Sequence, residues 1–297
     1  MPKLVFGCGY LGGRVAARWR TAGAHVMAVT RSPQRAETLR AVGLEPLVAD
    51  VTRPETLAGL PAAETVLWAV GWDARSPATR RQLYVEGLGH VLAALPPTTG
   101  RIIFISSTGV YGDADGAWVD EDSPCRPRRE AGRALLAAEE LLRAHPLGRR
   151  AVVLRMAGIY GPGRLLRTAE LLAGRPMPVA SGSFLNLIHV EDAATAVLAA
   201  AARAQPPRTY LICDGQPVER RAYFARAAEL LGGPAPQFVE PPLGAADSRH
   251  DGSNKRTRNA RMTAELGVTL KYANYRAGLR ASLSGGDVPM PAFLTNL

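Results

Sequence analysis

The segment that most limits the fold stands at residues 4–12. Leu4-Val5-Phe6 is a short apolar run, and Gly7-Cys8-Gly9-Tyr10-Leu11-Gly12 follows it directly. Residues 11–22 then carry Leu11, Val15, Ala16 and Trp19 at helical spacing. A strand, a GxGxxG turn and a helix in that order have one well-understood use. The first glycine allows the tight turn, the second lets the backbone approach a pyrophosphate, and the third permits close helix–strand packing. The helix N-terminus attracts the negative charge. Gly7, Gly9, Tyr10, Leu11 and Gly12 are therefore expected to hold a dinucleotide.

The rest of the chain repeats the rhythm. Strands are expected at 25–30, 46–49, 66–70, 101–106 and 152–156, with helices at 33–42, 79–95 and 133–145. Strands alternating with helices of this length imply βαβ units and a doubly wound, parallel α/β sheet. Arg101-Ile102-Ile103-Phe104-Ile105 reads as a strand buried on both faces. After Tyr160 proline and glycine become frequent, helices are expected at 165–173, 193–204 and 220–231, and 234–254 reads as loop. The expectation is a dinucleotide-binding Rossmann domain over 1–160, rejoined by 187–213. Residues 161–297 would form a smaller, irregular α+β substrate lobe.

Charge raises a competing class. Lys+Arg number 36 against 26 Asp+Glu, a net charge of +10. Three of those cations are lysines (Lys3, Lys255, Lys271), and the excess is spread over both halves. An arginine bias along the whole chain, without a basic tail or an RNA-binding aromatic signature, argues against a nucleic-acid partner. Cys8, Cys125 and Cys213 are far apart and form no CxxC pair, so neither a disulfide framework nor a zinc site is expected. No stretch reaches the ~18 apolar residues that span a bilayer. The reading is a cytoplasmic protein with a small-molecule substrate and no membrane partner. A homodimer is left open.

The second strand ends in Val29-Thr30-Arg31-Ser32, where an NAD site usually places Asp or Glu. Arg31 can pair instead with a 2′-phosphate, and Ser32 and Arg35 can add contacts, so NADP is preferred over NAD. Asp50, closing the third strand, is counted with the cofactor residues. The alternative for Arg31 is one more surface arginine. Ile105-Ser106-Ser107-Thr108-Gly109-Val110-Tyr111-Gly112 places a hydroxyl cluster at the carboxyl end of the fifth strand. Ligands bind there in open parallel sheets.

These segments carry a resemblance. The stretch 105–112 resembles the "SSxxVYG" segment of the extended short-chain dehydrogenases/reductases, the NAD-dependent epimerase/dehydratase group. Leu154-Arg155-Met156-Ala157-Gly158-Ile159-Tyr160-Gly161-Pro162-Gly163 resembles its "LRxxxxYGPG" segment, and Asn186-Leu187-Ile188-His189-Val190-Glu191-Asp192 its "xxIHVxD" segment. Tyr210 to Gly215 and Asn254-Lys255-Arg256 match later landmarks. The resemblance implies a Rossmann fold, an NAD(P) cofactor, and Ser107 as the substrate-binding serine.

It also exposes departures. The family's acid–base pair is a tyrosine with a lysine four residues on, which places both on one helical face. Aligned on Gly132 and Ala138-Glu139, those positions are Ala131 and Leu135. A family asparagine is also absent from Tyr84-Val85-Glu86-Gly87. Glu130, Arg133, Tyr111 and Tyr84 are the candidate replacements. Arg133 stays charged and makes a poor base. Glu130 would serve if buried, and otherwise is a solvated first-turn glutamate. Tyr111 reads as packing or lining the cofactor pocket, His189 as structural or part of the substrate lobe, and the acids Asp113, Asp115 and Asp120-Glu121-Asp122 as a solvated loop near the cleft. The run 249–258 is either a clamp for a substrate diphosphate or a basic surface. Two functions follow: an NAD(P)-dependent oxidoreductase or epimerase with a non-standard proton-transfer residue, acting on a small polar substrate such as a nucleotide sugar, or a non-catalytic NADP(H) sensor.

Overall fold

Seven parallel strands carry the molecule, in the spatial order 208–212, 151–156, 101–107, 65–68, 3–6, 26–30 and 45–48. A computed structural model of the chain describes residues 1–239 and 254–284. The first half runs β1 (Lys3–Phe6), α1 (Gly12–Thr21), β2 (Val26–Thr30), α2 (Pro33–Ala41), β3 (Glu45–Val48), β4 (Thr65–Trp68), α3 (Gly87–Ala94) and β5 (Arg101–Ser107). The chain winds outward from β1 to β3, then crosses back to lay β4 on the other side of β1. That reversal is the switch point beside which open α/β sheets bind ligands.

Next come β6 (Trp118–Val119), α4 (Glu130–Ala144), β7 (Ala151–Met156), β8 (Gly158–Tyr160), α5 (Thr168–Leu172), β9 (Met177–Pro178), β10 (Phe184–Leu185) and β11 (Leu187–His189). The described chain ends with α6 (Val190–Arg203), β12 (Arg208–Ile212), β13 (Val218–Glu219), α7 (Arg220–Leu231), β14 (Phe238–Val239), β15 (Arg256–Thr257), α8 (Ala260–Leu266) and α9 (Tyr275–Leu283). β12 adds to the main sheet beside β7, whereas β8 and β11 form a separate parallel pair.

The strand pattern explains the layers. Along β1, Leu4 and Phe6 point to one face and Val5 to the other, as a period of two requires. Leu4, Phe6, Val66, Trp68, Ile102 and Phe104 pack under α3 and α4. Val5, Leu67, Ile103, Val152 and Leu154 pack under α1 and α6. Each such side chain contributes roughly 1.5–3 kcal/mol by leaving water. A third core, with Tyr160, Leu171, Tyr223, Phe224 and Leu279, lies among α5, α7 and α9.

Two helices differ from their expected form. The expected helix over 79–95 opens as a π turn, Gln82–Glu86, before α3 begins at Gly87. A Cβ on Gly87 would stand 2.9 Å from Val51 Cγ2, so the backbone lies tight against that side chain. The helix expected at 165–173 shrinks to α5, because Arg167 adopts a left-handed φ of 54° just before it. Conversely, α4 and α6 each start three residues before the expected 133 and 193.

Candidate cofactor and substrate cleft

The glycine turn is built as its chemistry demands. Gly7 has φ +85°, and a Cβ there would lie 2.4 Å from the Ala69 carbonyl oxygen and 2.6 Å from Val70 N. A Cβ on Gly12 would stand 2.2 Å from the Gly7 carbonyl oxygen. Both positions therefore require glycine. Gly13 N donates to the Gly9 carbonyl at 2.8 Å, which starts the helical turn. Leu11 is buried at the N-cap, α1 has no side-chain cap, and its first turn holds no acid. The positive end of α1 is thus left for an anion. These features fit the diphosphate of a dinucleotide.

Around the turn, the expected cofactor residues take distinct places. Tyr10 keeps its backbone in the turn but sends its side chain away. Its Oη donates to the Pro162 carbonyl at 3.1 Å, and its ring lies under the guanidinium of Arg14. Arg31 stands exposed just past β2. Ser32 Oγ caps α2 by accepting from Arg35 N at 3.1 Å. The Arg35 guanidinium reaches back to the Cys8 carbonyl at 3.3 Å. Burial pushes the Cys8 thiol up to about 11, so it stays neutral despite Arg35. Asp50 holds its own turn, accepting from Thr52 N at 2.9 Å and Thr52 Oγ1 at 2.7 Å.

The substrate side begins at the end of β5. Ser107 is half-buried, and its Oγ accepts from Gly109 N at 3.1 Å. The first turn of α4 rests on this segment, since a Cβ on Gly132 would be 2.7 Å from the Gly109 carbonyl oxygen. Ala131 is therefore carried beside the Ser107 turn, with nothing to ionise.

Behind it lies a network that sequence reading missed. Ser106 Oγ donates to Glu139 Oε1 at 2.6 Å. Arg155 grips the same fully buried carboxylate with two bonds, at 3.1 and 2.8 Å. Its third bond goes to Tyr111 Oη at 3.0 Å. Burial drives the Tyr111 phenol well above its ordinary range. Tyr111 thus packs, as expected, and is closed to substrate. The alignment of β5, β7 and α4 creates this network across 16 to 44 residues of sequence, beyond any local pattern.

Glu130 has a different fate from the buried base considered above. Its carboxylate pairs with Arg80 at 2.7 Å, and 55% of its side chain is exposed. It is a solvated first-turn glutamate with a charge partner. Arg133 is exposed and donates to the Arg128 carbonyl at 2.6 Å. Arg80 also lies 3.9 Å from the centre of the Trp72 ring. Trp72 N donates to Tyr84 Oη at 3.0 Å, and Trp72 Nε1 to the Ala78 carbonyl at 2.9 Å. The sequence singles out Tyr84 as a candidate, but nothing local in it ties Tyr84 to Trp72 or Arg80.

The remaining candidates hold structure together. His189 is fully buried and caps α6, its Nδ1 accepting from Glu191 N at 3.3 Å. Its ring meets Tyr160 edge-on and packs on Tyr272. Lys255 is buried with Nζ donating to the Gly112 carbonyl at 3.0 Å. Arg256 and Arg258 lie over the Trp118 ring, at 5.2 and 4.9 Å. Residues 249–253 of the basic run lie outside the described residues. The acids of the 113–122 loop have separate partners: Asp113 accepts from Asn254 N, Glu121 from Leu211 N, and Asp122 from Arg261. Glu121 is nearly fully buried rather than solvated, because it satisfies that edge-strand amide. No group of three metal-ligating side chains occurs among the described residues, and no helix among them is long and apolar enough to cross a membrane.

Residues 4–213 match the family model of the NAD dependent epimerase/dehydratase family. The chain belongs to this family. Among curated relatives it is 29% identical over 273 residues to Protein YeeZ of Escherichia coli K12, covering 90% of this chain and 95% of that one. It is 28% identical over 239 residues to a 4-hydroxy-2-methyl-3-oxo-4-farnesyl-3,4-dihydroquinoline-1-oxide ketoreductase of Stigmatella aurantiaca, covering 76% and 72%. A conserved protein of Silicibacter pomeroyi DSS shares its fold with a TM-score of 0.78 and 34% identity, over 96% of this chain and 98% of that one. Membership agrees with the glycine turn at the switch point.

Proposed function

We propose that this family member is an NADP-preferring oxidoreductase acting on the carbonyl or alcohol of a small polar substrate. One juxtaposition carries the reading. The Gly7–Gly12 turn closes on the β4 exit at Ala69, and Ser107 ends the next strand over, β5, with α4 laid across it. A dinucleotide with its diphosphate at α1 would extend its reactive ring along the strand exits toward Ser107. Ser107 would orient the substrate oxygen through its hydroxyl. The third core, around Tyr223 and Phe224, would supply the far wall. The bound dinucleotide would supply or accept the electron pair, and the chain positions substrate and handles the proton.

Two observations support NADP. The end of β2 carries no acid to bind ribose hydroxyls, and Arg31 is exposed there with Arg35 a turn away. A guanidinium fork suits a 2′-phosphate. The similarity to a ketoreductase supports hydride-transfer chemistry, and nucleotide sugars remain within the substrate panel. Thermal-shift titration with NADPH and NADH is the test. NADPH should bind at least tenfold tighter, and Arg31→Ala should weaken NADPH roughly tenfold while leaving NADH unchanged, as loss of one charge-assisted hydrogen bond implies. Equal shifts with both cofactors would overturn the preference. Binding without turnover across aldehydes, ketones and nucleotide sugars would favour a sensor.

A further inference from the structure

The positions matched to the family's tyrosine and lysine are Ala131 and Leu135, which leaves proton transfer without an owner. The other tyrosines nearby are engaged or sealed in a core. Tyr111 is buried and bonded to Arg155. Tyr10 donates its own proton to Pro162. Tyr160 lies in the third core. We propose that Tyr84, presented by the π turn ahead of α3, donates the proton to the substrate oxygen, with Arg80 as its neighbouring cation. This rests on the oxidoreductase reading and assigns its missing acid.

Four observations place it. First, Tyr84 Oη accepts from Trp72 N at 3.0 Å, so a lone pair is used and its own proton stays available. Second, Trp72 lies three residues beyond Ala69, the residue pressed against Gly7. The phenol therefore stands at the exits of β1 and β4, where the dinucleotide is expected. Third, Arg80 pairs at 2.7 Å with Glu130, the residue next to Ala131. The segment bearing Tyr84 thus faces the position that lost its phenol. Fourth, Arg80 lies 3.9 Å from the centre of the Trp72 ring, whose own backbone N donates to the Tyr84 phenol, so a cation sits in the group that holds it. A π turn at this point fits a functional distortion, since such turns occur often at active sites.

The step balances simply. The carbonyl carbon gains a C–H bond with an electron pair from the reduced dinucleotide, the C=O π bond breaks, and the oxygen takes the proton of Tyr84 Oη. The phenolate recovers its proton from solvent. Burial pushes the Tyr84 phenol up, while Trp72 N and Arg80 pull it down. A phenol held in its neutral form is a donor rather than a base.

The test labels the full chain with 3-fluorotyrosine and assigns Tyr84 by the 19F resonance lost in Tyr84→Phe. That resonance should move on adding NADP+ and stay still with adenosine 2′,5′-bisphosphate, which lacks the nicotinamide. In NADPH-dependent reduction of the carbonyl panel, Tyr84→Phe should lose about 100-fold or more in kcat while keeping its dinucleotide affinity. In Arg80→Gln, the fluorophenol should ionise at higher pH than in the parent, marking Arg80 as a positioning residue. Failure of any dinucleotide to bind would sink the oxidoreductase reading itself. Binding with the Tyr84 resonance unmoved, or full turnover in Tyr84→Phe, would overturn the proton-donor assignment alone.

Discussion

Asp214 offers a stability measurement with a definite sign. It follows β12 and is only 6% exposed. Its Oδ1 accepts from Gln216 N at 2.9 Å, and its Oδ2 makes no hydrogen bond to the protein. Burial is the main reason its carboxyl rises from 3.8 to about 7, with the Asp192 charge pushing the same way. Between those two values the folded chain holds a proton that the unfolded chain releases. The Asp214 contribution to stability is therefore most favourable near pH 4, falls as pH rises, and levels off above pH 7. A shift of about three units at ~1.4 kcal/mol each gives a penalty of about 4 kcal/mol at pH 8. Asp214→Asn keeps an oxygen for Gln216 N and removes the charge. It should unfold in urea with up to about 4 kcal/mol more stability than the parent at pH 8, relative to the same comparison at pH 4. Any cost of the new amide hydrogens is independent of pH and cancels. A difference between the two proteins that does not change from pH 4 to 8 would refute the reasoning.

Other outcomes follow from the packing. Glu139→Gln leaves the Arg155 guanidinium buried without its carboxylate and should cost about 3–5 kcal/mol in urea unfolding; the double change Glu139→Leu with Arg155→Met should recover most of that loss. Gly7→Ala drives a methyl into the Ala69 carbonyl at a left-handed φ. It should lower stability by about 3 kcal/mol and abolish the thermal shift given by dinucleotides. Ser107→Ala should raise KM or lower kcat in carbonyl reduction while leaving dinucleotide affinity intact, because among the described residues its hydroxyl is engaged by Gly109 N within its own turn.

Much of the architecture was legible because its signals are local. The glycine turn, the apolar run 101–105 and the alternation of strand and helix each depend on neighbours a few residues apart. The exits of parallel strands then follow from topology, which is why Gly7, Arg31 and Ser107 could be named in advance. Side-chain partners were less legible. Tyr10 belongs to the glycine motif, yet its hydroxyl crosses 152 residues to Pro162. Glu130 lies half in water, where Arg80, fifty residues earlier, pairs with it. Lys255 reads as part of a basic run, either a phosphate clamp or a surface, but beside the parallel pairing of β15 with β6 it turns inward onto Gly112.

By itself, the sequence determined the class of fold, the dinucleotide turn, and the absence of a tyrosine and lysine from the first turns of α4. Those are matters of residue identity and short spacing. Tertiary structure alone decided the surroundings of each phenol, since those depend on how α3, α4 and the β4 exit pack together. Tyr111 and Tyr84 are the same residue type. Tyr111 is buried against the Arg155 guanidinium, whereas Tyr84 is part-buried and accepts from the Trp72 amide, and only the arrangement of distant elements distinguishes them.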